Sequence, residues 1–172
     1  MNEVKVISGK YRGQVLSTPG NKTHPMGARE KLALFNMIAD FLPGALVLDA
    51  FAGSGALGIE AISRGAEQVM FIEKSQKACQ IIRQNLQKLA IDAKIFTGDV
   101  VNFTTSIKFD VILADPPYDD FDLSKIEQLG QFLKQGGILV LSHPQNTAEL
   151  SKLELLKTRK YANATISIYV KR

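Results

Sequence analysis

The chain has 172 residues, 45% of them hydrophobic, enough for one compact domain with a sizeable core and too few for a second full domain. Its sole cysteine, Cys79, precludes an internal disulfide. No apolar run approaches the roughly 20 residues of a membrane-spanning helix. The net charge of +4 is unevenly spread: residues 1–31 hold six Lys/Arg against two acids, while residues 32–172 balance at fifteen against fifteen.

The opening "MNEVKVISGKYRG" has no apolar core of the kind a secretory leader needs, so the expectation is a soluble protein of a reducing, cytoplasmic compartment. Lys5, Lys10, Arg12, Lys22, Arg29 and Lys31 form either a solvated face or a surface for a polyanion, whose counterions are released when protein cations replace them.

In chain order, "VKVIS" (4–8) and "QVL" (14–16) flank "GKYRG" and predict a small hairpin. The Gly- and Pro-punctuated connection "STPGNKTHPMG" follows. Residues 1–27 are thus expected to be a basic appendage on a domain spanning 28–172. Leu32, Phe35, Met37, Ile38 and Phe41 predict a helix over 29–41, stopped by Pro43-Gly44.

Short apolar runs then alternate with helical patterns. These are "ALVLDA" (45–50), a helix near 56–64, "QVMFIE" (68–73), a helix near 75–89, "AKIFTG" (93–98) and "FDVILA" (109–114). A helix around 122–134, "GGILVLS" (136–142) and a short helix near 147–150 come next. "KLELLKTRKY" and "ATISIYVK", joined by "ANA", close the chain as an antiparallel edge pair. Continuously apolar strands are buried on both faces, and alternating β and α units imply an α/β, mostly parallel, doubly wound sheet.

The first strand-to-helix junction reads "VLDAFAGSGALGIEA". Gly53, Gly55 and Gly58 form G-x-G-x-x-G, a pattern that lets a ligand approach the backbone and the helix N-terminus. Asp49, four residues before Gly53, would repel a pyrophosphate but welcome a cationic ligand such as S-adenosylmethionine, with its ammonium and sulfonium. Glu73 ends the next strand, where an acid commonly receives both ribose hydroxyls of an adenosine. In "TGDVV", Asp99 either accepts from an adenine amino group, with Val100 supplying a backbone donor and apolar contact, or caps a helical turn.

The fourth strand runs into "DPPY". An exocyclic amine on a nucleobase is a poor nucleophile because its lone pair is delocalised. The Asp115 carboxylate and Pro116 carbonyl could each accept one N–H and aim the lone pair at a methyl donor. Pro116 and Pro117 restrict the backbone so that these acceptors converge, and Tyr118 offers a face on which a flipped base could stack. His24 and His143 lie far apart without cysteine partners, so no metal site is expected.

With these residues in view, the chain resembles the RsmD-type family of bacterial 16S ribosomal RNA (guanine-N2)-methyltransferases. The resemblance rests on "ISGKYRG", "ALFN", "LDAFAGSGALGIEAISRGA", "FIEKS", "FDVILADPPY" and "GGILVLSHP". It implies a Rossmann-like S-adenosylmethionine-dependent fold and release of S-adenosylhomocysteine. It further implies cofactor contacts from Asp49, Phe51, Gly53, Gly55, Glu73 and Asp99, and a target amine held by Asp115 to Tyr118. Arg12, Arg29 and Lys31 match basic positions of an RNA-facing segment, to which Lys10 is added. His24, Met26, Ser142 and Ala162 depart from the family pattern.

The expectation is therefore a monomer that methylates a guanine N2 in small-subunit ribosomal RNA, within a partly assembled subunit, without metal or membrane. The alternatives are an amino methyltransferase acting on DNA adenine or a protein glutamine, and a non-catalytic RNA-binding assembly factor.

Overall fold

A computed structural model describes residues 4–20, 26–144, 149–162 and 164–172. Lys22 and His24 lie outside these residues, as do Asn163 of the "ANA" turn and 145–148 of the helix expected near 147–150; Glu149 and Leu150 are not helical. No helix of the described residues is long and apolar enough to cross a membrane.

A seven-stranded sheet forms the centre. Its strands are β3 (Leu46–Asp49), β4 (Gln68–Glu73), β5 (Lys94–Thr97), β6 (Phe109–Ala114), β7 (Leu133–His143), β8 (Glu154–Lys160) and β9 (Thr165–Val170). Their spatial order is β5-β4-β3-β6-β7-β9-β8. The first five are mutually parallel, and β9 runs antiparallel to both β7 and β8. The reversed strand thus lies one position in from the edge. Val111 to Ala114 of β6 are all buried, as an unbroken apolar run requires. Each fully buried aliphatic side chain contributes about 1.5–3 kcal/mol from its removal from water.

Helix α1 (Ala28–Met37) ends before the expected Phe41, giving way to a 3-10 turn at Ala39–Phe41. With α2 (Ala56–Ser63) and α3 (Gln76–Lys88) it helps bury one core cluster, in which Phe35, Ile59 and Ile82 meet Val47, Val111 and Ile168. Helix α4 (Leu123–Leu129) lies in the other cluster, and a 3-10 turn at Gly130–Phe132 replaces the rest of the expected helix to 134. Strand β7 therefore starts at Leu133, with a register shift opposite Phe109/Val111 that accommodates Gly136 at φ +75°.

The N-terminal hairpin is minimal. Strands β1 (Val4–Lys5) and β2 (Val15–Leu16) pair over two rungs. Side chains of the main domain hold it in place. Glu60 of α2 accepts from the Ile7 and Ser8 amides at 2.8 and 3.0 Å, and Ser63 Oγ accepts from Tyr11 N at 2.9 Å. Gly9, at φ +82°, passes so near the Ser63 carbonyl that a Cβ would lie 1.7 Å from its oxygen. Asn85 of α3 accepts from Ser17 N at 2.8 Å and donates to the carbonyls of Ser17 and Ser54, which ties the connection to the glycine loop.

Candidate active site

The chain reverses its progress across the sheet between β3 and β6, since β4 and β5 lie on one side of β3 and β6 on the other. Ligand crevices in open α/β sheets form at such switch points, outside the carboxyl ends of the strands. A cavity of about 530 Å³ lies there, lined by Phe51, Gly53, Glu73, Asp99, Val100 and the whole of Asp115 to Tyr118. Residues from four strand ends, separated by up to 67 positions in sequence, thus share one wall.

The glycine loop follows β3. Gly53 adopts φ +56°, and a Cβ built there would meet nothing within 4 Å, so the loop presents open space to the cavity. Gly55, at φ +80°, starts α2. Gly58 has a packing role: an added Cβ would lie 2.3 Å from the Phe71 ring. Asp49 was expected to face a ligand directly. Its side chain is instead 1% exposed beneath the loop, behind the cavity-lining residues, and its Oδ2 accepts from the Gly58 amide at 2.9 Å. Its Oδ1 has no partner among the described residues. Burial, which outweighs the Gly58 hydrogen bond and is reinforced by the charges of Asp115 and Glu73, pushes the Asp49 carboxyl up to about 7.

Glu73 accepts from Gly53 N through Oε2 and from Ser75 N through Oε1, both at 2.8 Å. A carboxylate offers about four lone-pair sites, so two remain for a ligand on the cavity side. Asp99 caps the 3-10 turn Val100–Asn102 by accepting from Val101 N at 3.1 Å, and it pairs with Lys125 of α4 at 3.2 Å. The Val101 hydrogen bond, ahead of Lys125, holds its carboxyl below the ordinary value. The capping role is thus present in the fold, on a residue that also borders the cavity. Lys125, which no sequence signal marked, closes that side of the wall.

Asp115 and the buried Pro116 both stand on the cavity wall. Burial raises its carboxyl to about 6, against hydrogen bonding from Ser142 that lowers it. Tyr118 is 37% exposed, with its Oη 2.6 Å from Ser142 Oγ at the end of β7. Ser142 is 2% exposed. This position departs from the family pattern, and its hydroxyl holds the tyrosine ring and lowers the pKa of the Asp115 carboxyl. Met26, another departure, lines the cavity from the connection after the hairpin, together with Thr18 and Pro19.

The four expected RNA-facing cations separate. Lys10, Arg12 and Arg29 are exposed, with Lys10 Nζ 5.2 Å from the centre of the Tyr11 ring. Lys31 is 2% exposed: its ammonium donates to the Lys5 carbonyl at 2.7 Å and pairs with Glu60 at 3.2 Å. Burial, partly offset by Glu60, lowers its pKa. Lys31 is therefore an internal tie between α1, the hairpin and α2 rather than a surface cation, because α1 turns its side chain inward.

The profile of the family described as "Conserved hypothetical protein 95" matches residues 4–170. The chain belongs to this RsmD-type methyltransferase family. The Bacillus subtilis protein "Putative rRNA methyltransferase YlbH" is 35% identical over 98% of this chain and 100% of its own length. "Ribosomal RNA small subunit methyltransferase D" of Haemophilus influenzae is 36% identical over 67% of this chain and 64% of its own length. Among solved structures, "Putative methyltransferase yhhF from Escherichia coli" superposes with a TM-score of 0.88 at 25% identity, over 99% of both chains. The chain thus shares the Rossmann-like fold of the methyltransferases it superposes on.

Proposed function

We propose that this chain methylates the exocyclic N2 of a guanine in small-subunit ribosomal RNA, with S-adenosylmethionine as methyl donor and S-adenosylhomocysteine as product. The observation that carries this reading is the placement of Asp115 to Tyr118 on the same cavity as the glycine loop, Glu73 and Asp99. The match to relatives named as ribosomal RNA methyltransferases supports the acceptor.

The residues fit the donor. The open space at Gly53 and the unfilled lone pairs of Glu73 suit a ligand with hydroxyl groups, and the under-bonded Asp49 carboxyl lies beneath the loop where a cationic group would be favoured. Glu73 would hold the ribose, Asp99 and Val100 the adenine, and Phe51, Gly53 and Gly55 the path between them, while Asp49 sets a negative potential beneath the loop. When bound, S-adenosylmethionine supplies a methyl group activated by a sulfonium.

The chain's own chemistry is orientation. The Asp115 carboxylate and Pro116 carbonyl accept the two N–H groups of the amine, so the lone pair points away from both acceptors and toward the cavity. Tyr118, fixed by Ser142, stacks the base after it leaves its helix. As positive charge builds on the nitrogen, Asp115 stabilises it and then takes the proton or passes it to water. The hairpin's Lys10 and Arg12, with Arg29, hold the surrounding phosphates.

The test has two arms. Asp115→Ala is expected to bind S-adenosylmethionine within a few-fold of the parent while methyl transfer to small-subunit particles falls by roughly 10²- to 10³-fold. Comparison of ribosomal RNA from cells with and without the gene is expected to show loss of one N2-methylguanine. An unchanged RNA methylation map, or transfer to duplex DNA or a protein glutamine instead, would sink the assignment.

A further inference from the structure

The balanced charge of residues 32–172 conceals a second division. Residues 32–151 hold nine Lys/Arg against fourteen acids, while residues 152–172 hold six against one. The closing strands are therefore at least as cationic as the N-terminal segment. Lys171 is engaged by the carbonyls of Gly130 and Leu133, and Arg172 pairs with Glu154. Lys152, Lys157, Arg159 and Lys160 remain exposed, with no acid paired to them among the described residues.

Register places three of them relative to the site. Arg159 pairs with Ile166 of β9, which pairs in turn with Ser142 of β7. Adjacent strands lie about 4.8 Å apart, so the Arg159 backbone is on the order of 10 Å from the rung whose serine holds Tyr118. Lys157 and Arg159 are paired with Ile168 and Ile166, which share a core cluster with Leu34 and Phe35 of α1. Cross-strand partners project to the same face, so both cations lie on the α1 side of the sheet. The first turn of α1 carries exposed Arg29, and its Glu30 is near enough to act on Tyr118. Lys160, paired with Thr165, lies on the opposite face at the same end.

We propose that the edge strand β8, through Lys157, Arg159 and Lys160, is a second phosphate-binding surface, which grips the RNA strand on the side of Tyr118 away from the N-terminal hairpin. This deepens the methyltransferase reading and rests on its RNA acceptor. A flipped base leaves two flanking backbone segments to be held; the hairpin is tied to α2 and α3, which pack on β3 to β5, whereas β8 is the opposite edge of the sheet. The competing role for charged residues on an edge strand is to deter another strand from pairing, here beside exposed Leu155 and Leu156.

The test measures affinity of the full chain for an in vitro small-subunit ribosomal RNA transcript across a salt series. K157Q/R159Q/K160Q is expected to reduce the slope of log K against log salt by about 2, since each lost phosphate contact removes roughly 0.7. Affinity at about 0.1 M salt is expected to fall roughly 10- to 100-fold. The charge-preserving K157R/R159K/K160R is expected to keep the parent slope. An unchanged slope and affinity in the glutamine variant overturns the proposal. So does self-association of that variant with unchanged RNA binding, which assigns the cations to guarding the edge. If the parent binds the transcript and methylates small-subunit particles while the variant is unaltered, only this proposal fails; if the parent does neither, the functional reading fails with it.

Discussion

Two carboxylates, Asp49 at the end of β3 and Glu60 within α2, are both nearly inaccessible but in opposite circumstances. Glu60 receives four donors: the Ile7 and Ser8 amides, the Lys31 ammonium and the Arg64 guanidinium at 2.8 Å. Asp49 receives one, and its second oxygen has no partner. A buried charge is tolerated when its hydrogen-bonding capacity is filled, so Glu60 serves the fold. An under-bonded one lowers stability and leaves a local negative potential, and Asp49 lies beneath the glycine loop that borders the cavity. Completeness of bonding, more than burial, separates the acid that ties the fold together from the one we propose to serve the cofactor site.

The strongest way to break that contrast is Glu60→Gln. An amide cannot accept from all four donors, and it leaves the buried Lys31 ammonium and the partly buried Arg64 without a counter-charge. The expected loss is about 3–5 kcal/mol in chemical denaturation, or about 10 °C or more in thermal midpoint. The Ile7 and Ser8 amides should also lose protection from hydrogen exchange. A loss below about 1 kcal/mol would mean that the four bonds do not anchor the hairpin.

Asp49→Asn should act in the opposite direction. A carboxyl whose pKa is raised by folding contributes stability that is complete below its unfolded value near 3.8 and is lost as pH rises through about 7. The asparagine variant escapes this loss and can still accept from Gly58. It is expected to be more stable than the parent, by about 1–3 kcal/mol more at pH 8 than at pH 5, while binding S-adenosylmethionine more weakly. Equal stability at both pH values would show that the unpartnered oxygen carries no penalty.

Ser142→Ala sharpens the comparison at the cavity wall. Asp115 must be ionised to accept an amine N–H with full strength, so methyl transfer is expected to fall as pH drops through about 6. Loss of the Ser142 hydroxyl removes an influence that lowers the Asp115 pKa, so the acid limb should move to higher pH, and Ser142→Thr should restore it. A profile that only scales down without moving would leave Ser142 as a prop for Tyr118 alone. The smallest effect belongs to an exposed pair: Asp120→Asn removes the 3.5 Å contact with Lys74, both side chains being more than half exposed, and should leave the thermal midpoint within measurement error.

Much of the site was legible in sequence because its signals are local. The glycine loop, Glu73 and the proline-stiffened end of β6 each follow a recognisable apolar strand, and the order of such strands fixes which ends adjoin. Lys31 was not legible in the same way. It sits in a cationic stretch beside exposed Arg29, and its inward direction depends on the face that α1 presents to Glu60. Lys125 and Ser142 likewise acquire their roles from partners 26 and 24 residues away, Asp99 and Tyr118. The early ends of α1 and α4 escaped because apolar spacing continues through the 3-10 turns that replace them.

The amino-acid sequence by itself determined the alternation of buried strands and helices, the glycine-rich turn after β3, and the proline-stiffened end of β6 at Asp115 and Pro116. These follow from side-chain periodicity, from glycine's access to positive φ and from proline's restricted φ, all of which act within a few residues. Only the tertiary structure decided which charges face water and which are bonded inside. It left Asp49 one donor, gave Glu60 four, turned Lys31 inward and set Arg159 on the rung of Ser142. Charge is written residue by residue, but its consequence depends on dielectric surroundings and partners, which exist only once distant segments have packed.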